Sequence, residues 1–414
     1  MTSALSDNTK AILLLTAPLA VGRSAPRFPL LTLKEYNEVA RRLRESGKQP
    51  ADLTRPGNEP LVEHCAGDSD RDRLRELLDR GFMLTQAVER WGSRAIWVIS
   101  RADAKYPSRF KHRLKEQAPP VLYGCGNKDR LNDGGLAVVG SRHVDDELIA
   151  ATEQVGRLAA LSDTSIVSGG ARGVDQASVR GAVGARGTAA AVLADRLEQA
   201  AVAPANRGPL KEGRLVLASP YDPAAGFNVG HAMQRNKLIY ALADAALVMN
   251  ADKGKGGTWA GAVEQLEHYR FVQVFVRETE GINAAAKALV GRGAVPWPDP
   301  NEPVSFLEAL KSKPAREPDS AGASLFEEAR SRGHSLQDAS PAETLFGAVK
   351  QIAGQHLRDP HTPEEFANLL RVSKSQAREW LNNLEEVGIV EKLTRPVRFR
   401  RSIAAESDAS KHHK

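Results

Sequence analysis

Cysteine is nearly absent: Cys65 and Cys125 are the only two in 414 residues. They stand far apart and match no zinc-ligand spacing, so neither a disulfide framework nor a cysteine-built metal site is expected. Two free thiols point to a reducing compartment, and a cytoplasmic location is the expectation. No apolar run reaches the ~18 residues that cross a bilayer, so no membrane partner is expected. The opening "AILLLTAPLAVGRSA" looks like a signal-peptide core, but Asp7 precedes it, Lys10 is the lone early base and Pro18 interrupts it. A first core helix is the better reading. Also missing are a Ser/His/Asp or Cys/His set, a carboxylate pair, metal-ligand spacing and the G-x-x-x-x-G-K-[ST] order of a P-loop. With no catalytic constellation in view, neither a catalytic step nor a cofactor nor a metal is expected.

What is present is a chain too long for one ordinary core, with a 42% apolar fraction that can fold two or three domains. The formal charge of +6 permits a nucleic-acid partner without requiring one. Residues 1–95 read as a helical N-terminal domain. There "LKEYNEVARRLRESG" sets Tyr36, Val39, Ala40 and Leu43 on one face. From 96 to 300 short apolar runs alternate with helical stretches. The strand candidates are "AIWVIS", "LAVVG", "SIVSG", "TAAAVL", "RLVLAS", "AALVMN" and "FVQVFV", with helices expected at 145–161, 173–184, 230–243 and 257–269. The pattern predicts an α/β class: a Rossmann-like, mostly parallel sheet with helices on both faces. Residues 301–340 lose periodicity and read as a linker. Residues 341–402 read as a last small domain, and 403–414 as a disordered tail.

Ligands of such sheets bind beyond the strand carboxyl ends. Four turns there share one chemistry. "VVGSRHVDDE" ends a strand on Gly140, then Ser141 and Arg142, before a helix whose N–H groups suit an anion. Alone it reads first as a turn with an exposed arginine. "SIVSGGARGVDQAS" repeats the plan with Ser168, Gly169 and Arg172, while Gly173 and Asp175 read as site-orienting; Asp175 would orient an arginine or cap a helix. "HAMQRNKLIYALADAALVMN" places Arg235, Asn236 and Lys237 early in a helix, for phosphate and base or sugar. "NADKGKGGTWAGA" offers Gly254, Lys255 and Thr258 as a backbone nest. The four together predict an anion-binding rim.

In this order these residues resemble the DNA-processing protein A (DprA/Smf) family. The likeness begins at "ISRADAKYPSRFKHRLKEQAPPVLYGCGN" and runs through "VVGSR", "SGGARGVDQAS", "RNKLIYALADAALVM" and "GKGGTWAGA". The resemblance implies a Rossmann-like domain that binds single-stranded DNA without a catalytic step, homodimers, and a RecA-type recombinase as partner. It also marks a divergent member. Ser178-Val179 stand where the family has Ala-His, Leu217-Ala218-Ser219-Pro220 where it has a Ser-Glu-x-Pro turn, and Ala232 where it has Phe. Its Arg-Asn-Arg is here Arg235-Asn236-Lys237, and its Ser-Gly-Ser/Thr is Lys253-Gly254-Lys255.

The last domain, "TPEEFANLLRVSKSQAREWLNNLEEVGIVEKLTRPVRFRR", reads as a winged helix-turn-helix, which some members of that family also carry. Thr362 and Glu365 form a capping box, and Phe366, Leu369 and Leu370 an apolar face. Lys374, Gln376 and Arg378 on its second helix, and Arg395, Arg398 and Arg400 in a wing with no acid, are candidate DNA contacts. A protein-docking winged helix remains open beside a DNA-binding one.

The expected function is non-catalytic binding of single-stranded DNA in uptake, recombination or phage-defence-related processing. Two alternatives stand beside it. One is an enzyme or sensor of nucleotide derivatives related to phosphoribohydrolases, though Gly261 stands where their loop has Glu and Glu264 lies one turn on. The other is a ligand-responsive DNA-binding regulator.

Overall fold

In the computed structural model the described residues are 5–19, 28–66, 71–277 and 284–312, and within 353–401 one helix, a hairpin and scattered positions between them. Met1–Asp319 and Ser320–Lys414 are two separate compact units.

The first unit is built on a nine-stranded sheet. Its strands are β1 (Trp97–Ser100), β2 (Val121–Gly126), β3 (Leu136–Val139), β4 (Ile166–Ser168), β5 (Ala189–Val192), β6 (Leu215–Ser219), β7 (Ala245–Val248), β8 (Gln273–Arg277) and β9 (Val295–Trp297). They lie in the order β1-β2-β6-β5-β4-β3-β7-β8-β9. From β6 to β9 every pair is parallel, whereas β2 runs antiparallel to both β1 and β6. The class is therefore the expected Rossmann-like, mostly parallel sheet. β3, β4 and β5 are buried along their whole length, as a sheet covered on both faces requires.

Helices cover both faces. The core cluster on one face includes Leu136, Val138, Ala189 and Leu247; that on the other includes Ala137, Val139, Ala190 and Val248, so successive strand residues alternate between cores. The helices that matter for the site are α7 (Asp146–Leu161), α8 (Val174–Gly184), α9 (Leu197–Val202), α11 (Val229–Leu242) and α12 (Gly256–Glu264).

The N-terminal helices do not make a core of their own. In α1 (Asp7–Thr16), Ile12, Leu13, Leu14 and Leu15 are buried. They belong to the same cluster as Trp91 of α5 (Gly81–Gly92) and Tyr123 and Cys125 of β2. Trp91 meets Tyr123 edge-on at 5.0 Å. Ser6 and Thr9 each donate to the Asp103 carboxylate at 2.6 Å, which pins α1 beside β1. Helices 1–95 thus form a layer of the sheet domain rather than a domain apart.

Helix α14 (Pro303–Lys311) occupies the start of the expected linker. Phe306 explains it: fully buried, it packs edge-on against Trp297 of β9 at 5.8 Å. Burying a phenylalanine contributes about 2–3 kcal/mol, enough to hold a short helix on the sheet. Residues 313–340 and the expected tail 403–414 lie outside the described residues.

In the second unit α15 (Pro363–Leu370) is capped reciprocally: Thr362 N–H donates to Glu365 at 2.7 Å and Glu365 N–H to Thr362 Oγ1 at 3.2 Å. β10 (Val390–Thr394) and β11 (Val397–Arg401) pair antiparallel. Phe366, Ala377, Leu381, Leu384, Val390 and Phe399 are buried together. Leu369, expected on the apolar face, is 44% exposed. Arg378 and Arg398 are exposed. Lys374, Gln376, Arg395 and the Arg400 side chain lie outside the described residues.

Candidate nucleic-acid interface

The chain leaves β3 toward β4 on one side and enters β7 on the other, so the β3/β7 boundary is the point where strand order reverses. Crevices open beyond the strand ends at such a point. A cavity of about 630 Å³ lies there, lined by Gly140, Ser141, Arg142, Asp175, Arg235, Asn236, the 254–258 turn and Phe227, among others.

The turns are fastened to one another. The Ser141 N–H donates to Asn250 Oδ1 at 2.8 Å, tying the end of β3 to the end of β7. Thr258 Oγ1 donates to the Gly140 carbonyl at 2.9 Å, and Asn236 Nδ2 to the Gly257 carbonyl at 3.0 Å. These bonds hold the N-terminus of α12 against the β3 turn, and its first residues, Gly256 to Thr258, line the cavity. Gly254 and Gly256 have φ of +74° and +77°, so the nest depends on a conformation L-residues avoid. At Gly173 a Cβ would press on the Ser141 and Arg142 carbonyls, which is why the two turns approach this closely.

Arg235 is only 4% exposed. Its guanidinium lies 3.6 Å from the Asp175 carboxylate, itself buried and accepting from the Ala171 N–H at 3.3 Å. Burial pushes the Asp175 carboxyl up, and the Arg235 cation opposes that shift. A Cβ at Gly169 would coincide with the guanidinium, so that glycine is the space Arg235 fills. Its Nε has no hydrogen-bond partner among the described residues.

The candidate residues therefore divide by what their side chains do. Arg142, Arg172, Gly254 and Lys255 are exposed, and Ser141 is half-exposed beside them. Arg235, Asn236, Thr258, Gly169, Gly173 and Asp175 build and brace the cavity. Ser168 is fully buried and donates to the Val138 carbonyl at 2.7 Å, stitching β4 to β3. Lys237 leaves the rim: its ammonium reaches Gln117 at 3.2 Å, and burial pushes its pKa down with Glu264 opposing. Glu264 sits in that same group, raised by burial, and does not line the cavity. Among the described residues no group of three or more His, Cys, Asp or Glu is placed to hold a metal.

Two further residues shape the site. Phe227 is 48% exposed, and the Arg142 guanidinium stacks over its ring at 4.8 Å. Its loop is held by Tyr221, which stacks on His231 at 3.8 Å and donates to the His231 carbonyl at 3.1 Å. Asn250 is the other. Its signal in the sequence is position: it closes an apolar strand just as Gly140 does. Phe227 had none beyond being an aromatic in a loop.

A Rossmann-like sheet with a basic, glycine-built crevice at its switch point is the arrangement that suits an anionic ligand. The profile of the DNA recombination-mediator protein A family matches residues 97–308, and the chain belongs to that family. It is 31% identical over 223 residues to a Mycobacterium tuberculosis protein named as a DNA processing protein DprA, across 50% of this chain. It spans about half the length of that curated relative, 54%. The DNA processing protein A of Streptococcus pneumoniae shares the fold, with a TM-score of 0.56 at 19% identity over 75% of this chain and all of that one. A Helicobacter pylori DNA processing protein A, described with a single-stranded DNA binding mode, gives a TM-score of 0.42 at 22% identity over 52% of this chain and 95% of its own.

Proposed function

We propose that this chain binds single-stranded DNA along the carboxyl edge of its sheet, as a binding protein without a catalytic step. One observation carries the reading: Arg142 and Arg172 extend, exposed and without an ion-pair partner among the described residues, from neighbouring strand ends beside an N–H nest. Phosphates would sit on Arg142, Arg172, Lys255 and the 254–258 turn. A base would meet Phe227, since an exposed ring beside backbone cations suits unpaired nucleotides of any sequence. Family membership supports a role in DNA processing by uptake, recombination or defence. A homodimer and a RecA-type recombinase are the proposed partners. The second unit is proposed to be a winged helix whose Arg378 and Arg398 add contacts to DNA.

The test is an anisotropy titration of labelled oligo-dT against wild type and Arg142→Ala at two salt concentrations. Tight, salt-sensitive binding that weakens in the variant supports the reading. Equal binding by both proteins removes the rim from it.

A further inference from the structure

Beyond the switch-point cavity the same sheet edge continues across β4 to β5. A second hollow of about 1200 Å³ opens there, and Arg142, Phe227 and Arg235 line both. Its far side is made by the turn after β5, where Leu193, Asp195 and Arg196 lead into α9.

Arg196 is exposed, and among the described residues no ion pair or side-chain hydrogen bond engages its guanidinium. Its backbone has φ of +51°, in the left-handed region, where a non-glycine residue is uncommon. The main chain is held there regardless of the side chain: its N–H donates to the Ala225 carbonyl at 2.9 Å, and its own carbonyl accepts from the N–H groups of Gln199 and Ala200. An arginine thus occupies a position that glycine would fill with less strain, and it is free to face a ligand. The one acid of that turn, Asp195, makes no ion pair with it among the described residues.

Strand order makes this count. β5, β4, β3 and β7 are consecutive neighbours. Their carboxyl ends carry, in the same order, Arg196, Arg172, Arg142 and the Lys255 nest. At ~4.8 Å per strand the row spans roughly 14 Å, longer than a single phosphate group and suited to a chain of them. We propose that Arg196 is a further phosphate-binding residue and that the strand runs from the nest through the second hollow to it. This rests on the single-stranded DNA reading above and lengthens its track by one cation.

The experiment compares oligo-dT binding by wild type, Arg196→Gly and Arg186→Gly in full-length protein across a salt series. Arg196→Gly removes the cation while easing the backbone. Arg186→Gly is its matched control: also exposed, with φ of +64°, but before β5 at the opposite end of the strand. One lost phosphate contact should lower the slope of log K against log salt by ~0.7, about fivefold in affinity near 0.1 M salt. We expect that change in Arg196→Gly alone, with both variants melting at or slightly above the wild-type temperature because each relieves a left-handed backbone. An unaltered slope in Arg196→Gly, or the same loss in both variants, overturns the proposal while the binding reading stands. If wild type binds no oligo-dT, the binding reading itself fails and this extension falls with it.

Discussion

Replacing Arg235 by methionine tests whether this side chain builds the site or only decorates it. The Arg235 and Asp175 side chains are 5% and 8% exposed and 3.6 Å apart, so each neutralises the other away from water. Methionine keeps much of the volume and removes the charge, which leaves Asp175 buried and alone. Breaking a buried pair from one side costs about 3–5 kcal/mol. Unfolding entropy of ~2.1 cal/mol/K per residue over roughly 310 residues gives ~0.65 kcal/mol per degree, so the melting temperature should fall by about 5–8 °C. Arg235→Met combined with Asp175→Leu removes both charges and should recover most of that loss. The assay is scanning calorimetry of the two single variants and the double. A single variant melting within a degree of wild type would refute the pairing, as would a double variant no more stable than the singles.

Three further outcomes are expected. Phe227→Ala should weaken oligo-dT binding by about 1–3 kcal/mol, five- to 150-fold, with little change in melting, because the ring is half-exposed and a base would stack on the face that Arg142 leaves open; anisotropy reads it. Asn250→Ala should cost about 1 kcal/mol of stability and lower affinity as well, since the Ser141 N–H loses its acceptor and the Arg142 turn loosens; calorimetry with anisotropy separates the two effects. Acid should weaken the N-terminal layer through Glu35. The hydrogen-bonded Arg73 guanidinium holds the Glu35 carboxyl at about 2, below its ordinary value. A depressed carboxyl stabilises above its ordinary range and loses that contribution as pH falls toward the folded value. Half-exposure keeps the effect under about 1 kcal/mol. Melts of Glu35→Gln between about pH 6 and pH 3 should therefore show a shallower acid decline than wild type.

The sheet was readable because buried strands spell themselves as short apolar runs, as β3 to β8 do, and those of β3, β4 and β6 also end on glycine or serine. β9 was not, since three residues with Pro296 at the centre carry no period. Nor was the docking of α1 and α5, because an amphipathic helix reads the same whether it packs on helices or on β2. The site was legible as a set of turns and illegible as a set of roles. Arg235 and Lys237 look equivalent in the sequence, yet two residues along a helix is about 200°, so one enters the cavity wall and the other faces Gln117. Gly169 reads as a flexible turn, but what it provides is room for a guanidinium. Phe227 lies in a loop whose path no periodicity predicts.

The central claim is that cations on adjacent strand ends hold successive phosphates. It is tested most directly by the salt dependence of oligo-dT binding in wild type and in Arg142→Ala/Arg172→Ala. With three to four contacts on the rim, the wild-type slope of log K against log salt should be about −2 to −3, and the double variant should lose ~1.4 of it. An equal slope in the two proteins would contradict the account.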